Sequence, residues 1–124
     1  MASNKIIRFG PVAMSTAYTL NLINCAITAL TGPTGYTQTQ PYLIVRHIRI
    51  VNTTATAATF RMFVGASGGN TAGTEFMGYD TTVPGNSYID WYGTLRLDST
   101  DYLVGGASAA TTLTFQAEGE IGIA

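Results

Sequence analysis

One histidine, one cysteine, a few carboxylates and a group of tyrosines are the side chains of this sequence whose types and spacing bear on chemistry. His47 stands between Arg46 and Arg49. A proton shuttle or a metal-bound imidazole needs a carboxylate to orient it; two flanking cations supply none, so His47 is read as a strand residue facing solvent or a neighbour. Cys25 lies in an apolar segment with no basic residue near it to stabilise a thiolate, which predicts a buried, inert thiol. Asp98 and Asp101 flank Ser99 and Thr100 and would offer oxygens to calcium, but the glycine and terminal glutamate of a calcium loop are missing. A turn in which the Asp side chains accept from local backbone amides is expected instead. Glu118 and Glu120 share one strand face, as paired carboxylates must for acid–base work, yet no partner for them is evident and a solvated or interfacial edge is expected. Gly65, Gly68, Gly69 and Gly73 precede neither a helix nor the lysine of a phosphate-binding loop, so they read as a plain connection.

The strongest feature is aromatic. Tyr88, Trp91 and Tyr92 fall close together, with Phe76 and Tyr79 before them and Tyr102 after. Strand alternation puts Tyr88, Asp90 and Tyr92 on one face and Ile89 and Trp91 on the other. Trp91 is therefore expected inside with Ile89, and Tyr88 and Tyr92 are candidate interface aromatics, since exposed tyrosines anchor protein contacts or stack on sugar faces. No nucleophile, base and orienter converge in this inventory; an enzyme is not expected, nor is a metal or cofactor.

The elements that must position these residues are strands. Apolar residues alternate or occur in short β-branched runs, with no sustained helical period. The clearest strand is Tyr42 to Val51, with Ile44, Ile48 and Ile50 on one face and Val45, His47, Arg49 and Val51 on the other. Ala58, Phe60, Met62 and Val64 alternate in a second strand, expected to pair with the first as a hairpin across the turn that begins at Asn52. Further strands are expected within 17–30, at Glu75 to Tyr79, Tyr88 to Leu97 with a bulge near Gly93, Tyr102 to Val104, and Leu113 to Ala117. Thr31 to Pro41, rich in Gly and Pro, reads as a long loop. Regularly spaced short strands predict an all-β fold, an antiparallel β-sandwich of jelly-roll or immunoglobulin-like topology. Residues 1–16 are read as an extended N-terminal arm and residues 17–124 as a single sandwich domain.

Composition narrows the role. The chain has 124 residues, 46% hydrophobic and only 10% charged, with a formal net charge of -1. That length supports one domain with a genuine core. Six basic residues without a basic run are too few to neutralise a series of phosphates, so no nucleic-acid partner is expected. No uncharged apolar stretch reaches membrane-spanning length, so no membrane is expected either. The first residues lack a basic stretch followed by an apolar core, and a lone cysteine forms no internal disulfide, which predicts synthesis in a cytoplasm. A surface of Thr, Ser, Asn, Gly and Ala has little charge to keep copies apart and suits a protein covered by neighbours in an assembly.

The strings Arg46-His47-Ile48-Arg49-Ile50-Val51-Asn52, Gly73-Thr74-Glu75-Phe76, Asp90-Trp91-Tyr92-Gly93-Thr94-Leu95-Arg96-Leu97-Asp98, Leu103-Val104-Gly105-Gly106-Ala107-Ser108 and Glu118-Gly119-Glu120-Ile121-Gly122 resemble small virion proteins of tailed bacteriophages. The resemblance runs from Leu43 to the end and carries no catalytic residues. It implies a compact β-sandwich module on the particle, commonly a decoration (cement) protein bridging capsomers on the capsid exterior, otherwise a tail or neck component. The implied partner is the major capsid protein, and a homotrimer over a local three-fold axis is the simplest symmetric arrangement. On that reading Lys5, Ile6, Ile7, Arg8 and Phe9 are a candidate capsid-docking arm, and the protein is made in the host bacterial cytoplasm. A carbohydrate-binding adhesin using the Tyr88 to Tyr92 aromatics is the competing possibility.

Overall fold

A computed structural model describes residues 5–24, 30–31, 37–38, 42–98 and 100–122. Cys25, most of the expected 31–41 loop and Ser99 lie outside the described residues. The elements are β1 (Lys5–Ala13), β2 (Leu20–Asn24), β3 (Leu30–Thr31), β4 (Thr37–Gln38), β5 (Tyr42–Asn52), β6 (Ala58–Gly65), β7 (Glu75–Val83), β8 (Ser87–Leu97), β9 (Tyr102–Ala107) and β10 (Leu113–Gly122). Eight of them form two four-stranded antiparallel sheets, ordered β1-β10-β5-β8 and β2-β9-β6-β7; β3 and β4 make a separate two-stranded ribbon. Among the described residues no helix is long and apolar enough to cross a membrane.

The pairing is nested. The first main strand pairs with the last (β1 with β10), the second with the second-last (β2 with β9), then β5 with β8, and innermost β6 with β7. A long hairpin wound into two layers has this arrangement, so the topology is the jelly roll and the immunoglobulin-like alternative falls away. Only β6 and β7 are joined as a hairpin within one of the main sheets. The expected β5–β6 hairpin is therefore wrong: β5 lies in the first sheet between β10 and β8, and β6 in the second between β9 and β7. Residues 53–57 are a crossover. The reason is local, because Asn52, 1% exposed, turns its amide to the crossover backbone instead of allowing a tight turn. Its Nδ2 donates to the carbonyls of Thr56 (2.9 Å) and Val83 (3.2 Å), and its Oδ1 accepts from Thr54 N (2.9 Å) and Thr54 Oγ1 (2.7 Å). The neighbouring β7–β8 crossover, Pro84-Gly85-Asn86, is bound to the same corner through Asn86 N to Thr54 O at 2.7 Å. Gly85 is required there, since a Cβ would run into the Ala55 carbonyl oxygen.

Between the sheets lie Leu43, Val45, Ile48, Ile50, Phe60, Met62, Val83, Leu97, Leu103, Leu113 and Phe115, each 1% exposed or less. Strand alternation delivers them, with one interruption in β5. The register slips at Arg46: Val45 opposes Leu95 while His47 opposes Tyr92, so Gly93 and Thr94 of β8 form a bulge opposite Arg46. The register of β5 with β10 shifts at the same point. The expected bulge near Gly93 is thus present, and it inverts the phase of β5. Val45, expected on the His47 face, is buried, and Ile44, expected with Ile48 and Ile50, is half-buried on the opposite side. Trp91 and Ile89 pack against the core from β8, Trp91 edge-on to Phe76 at 5.1 Å and 79°.

The segment expected as an arm is extended, but it does not stand outside the sandwich. Lys5 to Phe9 belong to β1 and pair with β10 from Ile121 to Ala117. The fold therefore does not divide between residues 16 and 17: residues 5–13 are an edge strand of the domain itself, because their alternation places Phe9 against the core and Arg8 in solvent.

Candidate functional site

The outer face of the first sheet gathers most of the chemistry-bearing side chains. Register aligns Arg8 of β1 with Glu118 of β10, Glu118 with His47 of β5, and His47 with Tyr92 of β8. The next row runs from Gln116 through Arg49 to Asp90, and Tyr88 follows one row on, opposite Val51. The strands thus build one ladder of polar and aromatic groups across the sheet, each contact made between cross-strand neighbours.

Asp90 is its hub. Arg49 grips the carboxylate with both arms of its fork, Nε to Oδ1 at 2.7 Å and Nη2 to Oδ2 at 3.1 Å, and His47 Nε2 lies 2.9 Å from Oδ1. The Arg49 hydrogen bond, aided by that of His47 and by their charges, holds Asp90 down at about 2 against the cost of partial burial. The same bond raises Arg49 above its ordinary value. His47 Nδ1 faces Glu118 Oε1 at 3.4 Å, and the imidazole stacks on Tyr92 with centroids 4.6 Å apart and planes 13° apart. Tyr88 lies on the Arg49 guanidinium, 4.4 Å from ring centroid to Cζ. Where the register slips, Arg46 reaches Glu120 at 2.9 Å and Thr94 Oγ1 at 3.2 Å.

This geometry corrects two readings. His47 does not lack a carboxylate: Asp90 and Glu118 arrive from the strands on either side. Glu118 and Glu120 are not unpartnered, since His47 and Arg46 meet them. Both ring nitrogens of His47 face carboxylates, so neither is presented to a substrate or metal, and the imidazole acts as a cross-link. The Asp98–Asp101 turn is as expected, with Asp98 N donating to Asp101 Oδ2 at 2.9 Å and Asp101 N to Asp98 O at 2.9 Å.

Beside the ladder three large hydrophobic side chains stand exposed. Tyr92 is 71% exposed, Tyr88 53% and Ile6 89%. Ile6 and Tyr92 flank one shallow depression of about 490 Å³ with Arg46 and Glu120; Arg8, Arg49 and Gln116 line a second, of about 320 Å³, on the other side of His47. Of the expected docking residues, the structure brings Ile6 and Arg8 to this face together with Tyr88 and Tyr92. Phe9 is not available for docking, because it packs against the core. Lys5 and Ile7 are placed by backbone register, opposite Ile121 and Gly119. The residues missed were Arg49, Asp90 and Glu118 as a connected set; the signal was complementary charge on separate strands, legible only once register is known.

No family model and no curated protein matches the chain. Solved structures similar to it include the Eiger TNF of S. frugiperda, at 10% identity and TM-score 0.41, covering 98% of this chain and 92% of that one. The virus-like particle of the extra small virus of the giant freshwater prawn Macrobrachium rosenbergii is similar at 9% identity and TM-score 0.48, covering 98% and 78%. Infectious bursal disease virus, Gt strain, is similar at 10% identity and TM-score 0.40, with this chain spanning 98% of its own length but 30% of the other. These likenesses concern overall shape and identify no family.

Proposed function

We propose that the chain is a non-enzymatic structural protein of a virion: a decoration protein that binds the capsid exterior of a tailed phage through the outer face of the first sheet and bridges neighbouring capsomers. The observation that carries the reading is the distribution of exposed apolar groups. Ile6, Tyr88 and Tyr92 are three of the four large hydrophobic side chains left exposed among the described residues, and all three stand on this one face. Tyrosines on a rigid support are efficient interface anchors, because little side-chain entropy remains to be lost on docking. Here the support is the charge ladder: Tyr92 is fixed by His47 and Tyr88 by Arg49, and both of those are fixed by Asp90. Low net charge allows many copies to sit side by side, and the sequence resemblance to phage virion proteins supplies the class of partner, the major capsid protein. A homotrimer over a local three-fold axis fits that geometry.

Quantitative mass spectrometry of purified particles tests the placement. A ratio to the major capsid protein near one to one, or one trimer per three-fold position, is the expected result. A handful of copies would move the chain to the tail or neck, and absence from the particle would remove the structural reading. Co-sedimentation with particles lacking the protein tests the surface: Tyr92→Ala and Ile6→Asp should each weaken binding by roughly tenfold or more, and undiminished binding of the double variant would refute the assigned face.

A further inference from the structure

The fourth exposed hydrophobic, Tyr79, lies on the opposite sheet, close to three of the five non-glycine residues with left-handed backbone among the described residues. Tyr18 (φ 56°), Met77 (φ 67°) and Asp80 (φ 57°) are non-glycine residues in the left-handed region. Such conformations persist only where the surroundings enforce them, and they concentrate at functional sites. Two of them, Tyr18 and Asp80, meet on one side chain, Arg61. Asp80 holds Arg61 by two bonds, Nε to Oδ1 at 2.7 Å and Nη2 to Oδ2 at 3.0 Å, while the Tyr18 and Tyr79 rings approach its Cζ to 4.7 and 4.2 Å. Tyr18 reaches this position because its segment crosses β9 at Gly106, where a Cβ would collide with the backbone of Ser15 and Tyr18.

Beside this cluster lies an open depression of about 450 Å³, floored by Arg61 and walled by Tyr79, Asn70, Ala72 and Glu75. The 66–74 connection that forms its wall is held in place before any ligand arrives. Asn21 of β2 donates to Ser67 Oγ at 2.9 Å and accepts from Gly68 N at 2.7 Å; Thr74 N bonds Thr71 O at 3.1 Å, and Glu75 accepts from Gly73 N at 2.8 Å. Preorganisation of this kind lowers the ordering cost of binding.

We infer that this depression is a binding site for an uncharged saccharide. A pyranose offers an apolar C–H face and a rim of hydroxyls that both donate and accept. Tyr79, 57% exposed, presents the matching flat ring, and Asn70 and Glu75 present an amide and a carboxylate beside it. The Arg61 charge is already neutralised by Asp80, so the floor supplies no free cation for an acidic ligand. A peptide strand is disfavoured as occupant: β7 is an edge, but left-handed Met77 and Asp80 and the register shifts opposite Arg61 interrupt its hydrogen-bonding row. The Tyr88 and Tyr92 pair is a separate surface, on the outer face of the other sheet within the proposed docking face.

Saturation-transfer difference NMR of the full chain tests the inference, with the methyl glycosides of glucose, galactose, mannose and N-acetylglucosamine, alongside a glycan array covering oligosaccharides. The expected result is transfer to the ring C–H protons of at least one neutral glycan, with affinity at least about fivefold weaker in Tyr79→Ala and unchanged in Tyr92→Ala. Asn70→Ala, in an exposed connection, gives a second variant should Tyr79→Ala fold poorly, and it should also weaken binding. A blank in both assays would overturn the inference. So would binding that survives both Tyr79→Ala and Asn70→Ala, binding lost in Tyr92→Ala, or binding confined to acidic glycans.

Discussion

Replacing Asn52 with alanine removes a side chain that makes four hydrogen bonds at the corner where the β5–β6 and β7–β8 crossovers meet. At a net value of about 1 kcal/mol for each bond, the loss is roughly 4 kcal/mol, and the stranded carbonyls of Thr56 and Val83 keep it from being smaller. An unfolding entropy of about 2.1 cal/mol/K per residue turns that into a fall in Tm of about 15 °C for this length of chain. Thr54→Val removes only the Thr54 hydroxyl, whose one proton is shared between Asn52 Oδ1 (2.7 Å) and the Thr56 carbonyl (3.0 Å), and should cost far less, about 4 °C. Thermal unfolding followed by far-UV circular dichroism, with urea titration as a check, measures both. A fall of under about 3 °C for Asn52→Ala would refute the claim that this side chain holds the corner.

Acid should act through Asp90. Its folded value of about 2 lies below the ordinary 3.8, so the carboxylate contributes stability that is fully present above pH 4 and is lost as pH falls from about 4 to 2. In Asp90→Asn that limb should flatten; a Tm against pH curve parallel to that of the wild type would contradict the assignment. Deleting residues 1–9 removes the β1 pairs from Lys5 to Phe9 and uncovers β10, so the truncated chain should melt at least about 10 °C lower and elute as larger species in size-exclusion chromatography. Gly119→Val places a Cβ against the Ile44 carbonyl oxygen and should prevent β10 from closing on β5, read as loss of soluble folded protein, whereas Glu118→Gln on the same strand should express normally.

The strands themselves were legible in the sequence. Ala58, Phe60 and Met62, and likewise Leu113, Phe115 and Ala117, alternate as a half-buried strand must, and all six are buried. Partnership between strands was not. Residues 53–57 carry the composition of a turn, and only the buried Asn52 amide, a contact between parts of the chain 31 residues apart at Val83, makes them a crossover. The phase of β5 was hidden for a similar reason: Val45 and Ile44 exchange faces because the register slips at Arg46 against both β8 and β10, and that needs the neighbouring strands to be known. Asp90 looked like one polar residue among aromatics, and Glu118 like a lone carboxylate. Their roles come from register, which brings both to His47.

Nested pairing also fixes the order in which the molecule can assemble. Within the two main sheets the β6–β7 hairpin alone joins strands adjacent in sequence; each further pair, β5 with β8, β2 with β9 and β1 with β10, spans a wider stretch and has a smaller loop to close if the pair inside it has already formed. This predicts a folding nucleus near Phe60 and Thr81 with growth outward from it, so φ-values should be highest in β6 and β7 and lowest in β1. During synthesis, β1 emerges before β10 and waits for it before its backbone finds a partner. The face that carries Ile6 and Arg8 is consequently completed at the final step, which delays its availability to any partner until the rest of the sandwich is in place.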